Sequence, residues 1–185
     1  MLKLIEEAAN EPASSRIAEY DEYLTNHING VIRSWQEVLN PFLLDSQNEA
    51  DLEAIATQIS KHDASKYEDE YIPYLNYFYP ESGEPSKEDE VKFDLAWLHH
   101  QKVNSHHWQY HVIIRDNGEL APMDMPFADV CEMLCDWHSF SLKNPESTAY
   151  TWYQKNKDKM IFSDNTRKLI EEYIDVFKEP LTNNE

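Results

Sequence analysis

Five of the eight histidines in this chain fall in three tight contexts: His62-Asp63, His99-His100 and His106-His107. Neutral imidazole and carboxylate together form the ligand set for borderline and hard divalent ions such as Zn, Mn, Fe or Mg. Two more residues join them by phase. His27 lies inside an apolar stripe of Ile17, Tyr20, Leu24, Ile28, Val31, Trp35 and Leu39 at helical spacing, so its ring is expected to face inward. Asp136 shares a helical face with Met133, Trp137 and Phe140. Inward His27 and His62 from separate helices, with inward Asp63 and Asp136, give a helical bundle the means to hold an ion in its interior.

Each residue taken singly has a plainer reading. A histidine on an apolar stripe is more often a core residue bonded to backbone, and a buried carboxylate such as Asp136 can simply accept from a Trp or Tyr. It is the set that points to a metal. His99 and His100 diverge by about 100° on a helix, and His100 is the one expected to face the site. His107 lies seven residues beyond His100, on the same face if the helix persists. Otherwise His106 and His107 form a helix-end cap with exposed rings. The tyrosines from Tyr67 to Tyr79 read as packing, and Glu88 to Glu90 as a helix start favoured by its dipole. His111 and His138 receive no role.

The elements that must position these residues are helical. Only three glycines occur in 185 residues, which disfavours sandwiches and phosphate-binding glycine loops. Five Trp, eleven Tyr and seven Phe supply the apolar area for a core. A short helix over Leu2 to Ala9 is expected to break at Glu11-Pro12, and a second to run from about Ser15 to Leu39. Ser46 with Glu49 reads as a capping box opening a helix through Leu52, Ile55 and Ile59 to His62. Ser86 with Asp89 opens another, leading through Val91, Leu95 and Leu98 towards Asn104. Trp108 to Ile114 reads as a strand, and Asn117-Gly118 as the turn of a small hairpin spanning 108–122. Pro126 starts a helix to about Leu142; further helices follow Pro145 and carry Leu169, Ile170, Tyr173, Ile174 and Phe177. The expected fold is all-α: a single bundle of six to eight helices over 1–178, with a polar tail at 179–185.

The balance of 16 basic against 35 acidic residues gives a formal charge of -19, which repels duplex nucleic acid and anionic membranes. A small phosphorylated substrate stays compatible, because a bound divalent ion reverses the local charge. The opening MLKLIEEAAN is acidic where a signal peptide would be apolar. Cys131 and Cys135 read as reduced core thiols, and the expected compartment is the cytoplasm.

The order His27, His62-Asp63, Asp136 resembles the H…HD…D signature of the HD-domain metal-dependent phosphohydrolases. The run His62-Asp63-Ala64-Ser65-Lys66 is similar to their HD-x-G-K segment, with Ser65 in place of Gly. More closely, HD-x-SK, Asn104-x-His106-His107-Trp108 and Met133-x-Cys135-Asp136-Trp137 resemble an uncharacterised family of small bacterial and phage proteins, over about residues 20 to 175. The HD resemblance implies an HD-type helical bundle in which His27, His62, Asp63 and Asp136 ligate a first metal. It implies that His107, with His100 or His106, completes a second metal site or contacts substrate phosphate, and that Lys66 lies near that phosphate. One or two ions of Mn, Fe, Zn, Co or Mg would activate a water to attack phosphorus in a nucleotide or another small phosphate ester. The same resemblance leaves open an HD-like di-iron oxygenase. A metal-stabilised module that binds a protein partner or forms a homodimer also stays open.

Overall fold

The computed structural model describes residues 2–182, with side chains from residue 15 onward. The fold is mainly helical, with one two-stranded antiparallel hairpin. The chain divides into two compact units, each discontinuous in sequence: Met1–Asn26 with Asp63–Val103, and His27–His62 with Asn104–Glu185.

The first helix, α1 (Leu2–Arg33), contributes to both units and runs on through Pro12. The break expected there is absent, since a proline deletes one backbone hydrogen bond without obliging the helix to stop. In the first unit α1 is followed by a 3₁₀ turn at Ala64–Tyr67, then α4 (Tyr71–Phe78) and α5 (Lys87–Val103). Tyr20 and Leu24 of α1, Tyr74 and Leu75 of α4, and Ala96 of α5 form its core. Arg16 ties α1 to the end of α4 through Tyr79 O at 2.8 Å and Asn76 Oδ1 at 3.0 Å. Ser86 caps α5 as expected, accepting from Asp89 N at 3.2 Å.

The inward face of α5 is not the row of Val91, Leu95 and Leu98. Val91, Leu95 and Leu98 are exposed, while Ala96 and His100 are buried and Phe93 and Trp97 half-buried. The helix carries two apolar rows, and the row with the two large rings takes the inside, where Phe93 stacks on Tyr77 at 4.0 Å.

In the second unit α1 continues as a π turn at Ser34–Leu39 and a short α2 (Asn40–Leu43), and α3 (Glu49–Ile59) follows. The cap of α3 is Asn48, which accepts from Asp51 N at 3.0 Å, rather than Ser46. Both pairs have the same three-residue spacing, and Ser46 instead turns its hydroxyl to Leu43 O. Trp108–His111 forms a 3₁₀ turn instead of strand; β1 (Val112–Ile114) then pairs with β2 (Leu120–Pro122) across the turn at Gly118. That glycine has φ +83°, the left-handed conformation a side chain would strain. The helices α6 (Phe127–Ser139), α7 (Ala149–Asn156) and α8 (Asp164–Tyr173) complete the unit, with a closing 3₁₀ turn at Ile174–Phe177. Leu181, inside the segment expected to be a polar tail, is buried, and its N–H donates to Ser141 Oγ at 3.1 Å. Residues 183–185 of that expected tail lie outside the described residues.

The second core joins Val31, Trp35 and Leu39 to Ile55, Ile59, Val130, Met133, Leu134, Tyr153, Ile170 and Phe177. Gly30 permits a close approach of α1 to the end of α6: a Cβ there would meet Leu142 Cδ1 and Ser139 Cβ at 3.1 Å. Gly30→Ala should be near neutral, because the gain in helix propensity of about 1 kcal/mol offsets a small displacement. Gly30→Leu overpacks the contact and should cost about 1–3 kcal/mol, read as a lowered chemical-denaturation midpoint. An unchanged midpoint for Gly30→Leu would refute the close approach.

Candidate metal centre

Helix α6 carries Asp129, Glu132, Asp136 and Ser139 at spacings of three, four and three, which is one helical face. Its remaining sides hold core residues such as Val130, Met133 and Leu134. This polar row is turned into the second unit, with Asp129 and Glu132 buried, so its carboxylates require partners. Histidines supply them.

His27 Nε2 lies 3.3 Å from Asp136 Oδ1, and His62 Nε2 lies 3.4 Å from His27 Nε2 and 3.7 Å from Asp136 Oδ1. Ligands about 2.0–2.2 Å from a tetrahedral ion stand roughly 3.3–3.6 Å from one another. The three atoms therefore already keep the edges of a coordination polyhedron. His106, in the segment after α5, brings its ring 4.4 Å from that of His62. His62, His106 and Asp136 offer ligand atoms that all lie within 4.8 Å of one another. These buried His and Asp groups could hold a metal ion.

The neighbours of these residues fix their orientation. Ser139 Oγ donates to Asp136 O at 2.7 Å, which commits its only proton, so at 3.1 Å it accepts from His27 Nδ1. His27 is then protonated at Nδ1 and presents the Nε2 lone pair to the cluster. Glu132 Oε1 lies 2.8 Å from His62 Nδ1 and 3.1 Å from His106 Nδ1. Burial pushes the Glu132 carboxyl up, but the bonds from His106 and His62 outweigh it and hold it at about 2. Burial likewise raises Asp136, and the bond from His62 with the charges of His62, His27 and His106 takes it well below the usual carboxylate range.

The first unit holds a network of its own residues, Asp63, Lys66, Glu70, His99 and His100. Asp63 has φ +57° and ψ 24°, the one non-glycine residue with positive φ among the described residues. A left-handed non-glycine costs of order 1–3 kcal/mol and persists where the surroundings over-determine it. Here Lys66 Nζ binds Asp63 Oδ2 at 2.6 Å, and His100 Nε2 lies 3.2 Å from Asp63 Oδ1. Glu70 Oε2 takes His100 Nδ1 at 2.7 Å, and its Oε1 takes His99 Nδ1 at 2.7 Å. Burial lowers His100, but Asp63 and Glu70 outweigh it and raise it above the ordinary imidazole value, which favours the cation.

Residues 16–176 match a family of unknown function (DUF5662). The chain belongs to this family. No curated protein and no solved structure matches it. Among the described residues of this DUF5662 chain, no helix is long and apolar enough to cross a membrane.

In this family member the expected site residues distribute by unit. The second unit brings His27, His62, Asp136 and His106 together, with the ring of His107 4.3 Å from that of His106. The first brings Asp63, Lys66 and His100 together. His99, expected to point away, is half-exposed yet shares Glu70 with His100. The sequence reading missed Glu132 and Glu70. Glu132 had a signal, since it lies four residues before Asp136 on an otherwise apolar stretch; Glu70 had none in its local pattern. His111 donates to Ser105 O at 2.8 Å, and His138 is a core histidine whose burial pushes it down to about 4.

Proposed function

We propose that the second unit binds a divalent metal ion through His27, His62, His106 and Asp136 and that the protein is a metal-dependent phosphohydrolase. The observation that supports the metal is the mutual spacing of 3.3, 3.4 and 3.7 Å among His27 Nε2, His62 Nε2 and Asp136 Oδ1. The mixed nitrogen and oxygen set suits Mn, Fe, Co or Zn better than Mg, which prefers oxygen alone. The hydrolytic reading is supported by the resemblance of the H…HD…D order to the HD phosphohydrolases. An ion held by His27, His62, His106 and Asp136 would supply an activated water, whose oxygen would bond to phosphorus as the ester P–O bond breaks and the alcohol leaves with a proton from that water. Asp63 as a ligand, Lys66 and His100 as contacts to phosphate, and His107 at a second ion take their roles from the resemblance. The buried free thiols of Cys131 and Cys135 fit a reducing compartment such as the cytoplasm.

Elemental analysis of protein purified without a histidine tag tests the metal, and a panel of nucleoside monophosphates, triphosphates and a generic phosphodiester tests the reaction. The expected result is one or two equivalents of a transition metal with manganese- or iron-stimulated release of phosphate or nucleoside. Protein that takes up no divalent ion from any of these would overturn the metal. Stoichiometric metal with every substrate intact would overturn the hydrolase and favour a metal-stabilised binding module.

A further inference from the structure

We infer that Glu132 is the positioning residue of this centre: a single carboxylate orients two ligand histidines from separate parts of the chain and thereby sets the affinity for the ion. The inference rests on the metal reading above. Glu132 Oε1 lies within hydrogen-bonding distance of both His62 Nδ1 and His106 Nδ1, at 2.8 and 3.1 Å. An ionised carboxylate only accepts, so both nitrogens must carry protons. A neutral imidazole protonated at Nδ1 has its lone pair at Nε2, and Nε2 is the atom that His62 turns towards His27 and Asp136. Were either proton to move to Nε2, that ring would cease to be a ligand.

Glu132 is itself held in place. Gln58 Nε2 donates to its Oε2 at 2.9 Å and, with the second N–H, to Asp129 Oδ1 at 2.7 Å. Asp129 Oδ1 also accepts from Ser105 Oγ at 2.7 Å, and Ser105 is the residue before His106. The network thus ties α3, α6 and the segment bearing His106 to one carboxylate that is 4 % exposed. His27 lies outside this arrangement, because Ser139 holds its Nδ1.

The test uses the full chain as wild type, Glu132→Leu and Glu132→Gln. Leucine keeps much of the volume and accepts nothing; glutamine keeps an acceptor oxygen without the charge. Long-range proton–nitrogen spectra of metal-free, histidine-labelled protein at mildly alkaline pH distinguish Nδ1–H from Nε2–H. Wild type should show His62 and His106 protonated at Nδ1, Glu132→Leu should show mixed tautomers at both, and His27 should be unchanged in every variant. Zinc affinity, measured by competition with a chromophoric chelator, should fall about 10–100-fold in Glu132→Leu. Glu132→Gln should restore part of that loss. Wild-type His62 or His106 protonated at Nε2 would overturn the inference, as would Glu132→Leu with both tautomers and zinc affinity unchanged. If Glu132→Leu does not fold, the wild-type spectrum together with the affinity of Glu132→Gln decides: wild-type Nδ1 protons with weakened zinc binding support the role, and unchanged affinity overturns it. Wild type that binds no zinc or other divalent ion would remove the metal reading, while the tautomer spectra would still decide what Glu132 does to the two rings.

Discussion

Asp136→Ala is expected to lose its metal and, with it, any hydrolysis. Asp136 Oδ1 lies 3.3 Å from His27 Nε2 and 3.7 Å from His62 Nε2. Burial raises its carboxyl, but the bond from His62 and the charges of His62, His27 and His106 outweigh it and hold it below the usual carboxylate range, so it is ionised at neutral pH. Removing it takes an anionic oxygen away from the cluster of His27, His62 and His106. An affinity loss of at least about 100-fold follows, equivalent to about 2.7 kcal/mol. Asp136→Asn separates charge from shape: its amide oxygen can still face the ion, so it should fall between wild type and Asp136→Ala. Calorimetric titration with zinc and with manganese reads both. Asp136→Ala with full metal content at micromolar protein would mean that the histidines alone, or other groups, hold the ion, and the centre would need to be redrawn.

The legible part of this chain was the part governed by local period. The α1 stripe repeats at helical spacing, so Tyr20, Leu24, His27, Val31 and Trp35 are buried as expected. Where two answers have the same local pattern, sequence could not choose. Ser46 with Glu49 and Asn48 with Asp51 are both three-residue capping pairs two positions apart, and the chain uses the second. On α5 the rows Val91, Leu95, Leu98 and Phe93, Ala96, Trp97, His100 both satisfy a helical period, and packing against Tyr74 and Tyr77 selects the second. The histidines of the candidate centre were legible in the sequence because imidazole beside carboxylate is a ligand set for divalent ions. The carboxylates that hold them were not, because Glu is ordinarily a surface residue. Glu132 and Glu70 are buried against histidines at 62, 106, 99 and 100, and such distant partners leave no local trace.

Glu70→Ala is expected to be the most destabilising single change in the first unit. Glu70 is 1 % exposed, and its two oxygens accept from His99, His100 and Ser65 at 2.7, 2.7 and 3.0 Å. Alanine would leave the buried His100 Nδ1–H without that acceptor and the imidazolium without one of its two carboxylates. Breaking a buried pair from one side costs about 3–5 kcal/mol. For a chain of this length that corresponds to a fall in melting temperature on the order of 10 °C. The pH dependence sharpens the test. Burial raises Glu70, but its bonds from His100 and His99 outweigh it and take the carboxyl below its ordinary 4.5, so its contribution is complete above that pH and is lost as pH falls through the lowered value. His100 is raised above its ordinary 6.5, so its contribution is complete below that pH and is lost as pH rises through the raised value. The two overlap between about pH 4.5 and 6.5, and the gap between wild type and Glu70→Ala should be widest there and narrow on both sides. Glu70→Gln, which can accept one of the two imidazole protons but carries no charge, should recover part of the stability and little of the pH dependence. Melting curves across pH 3.5 to about 9 would show it, and a constant gap over that range would mean that Glu70 acts by packing rather than by charge.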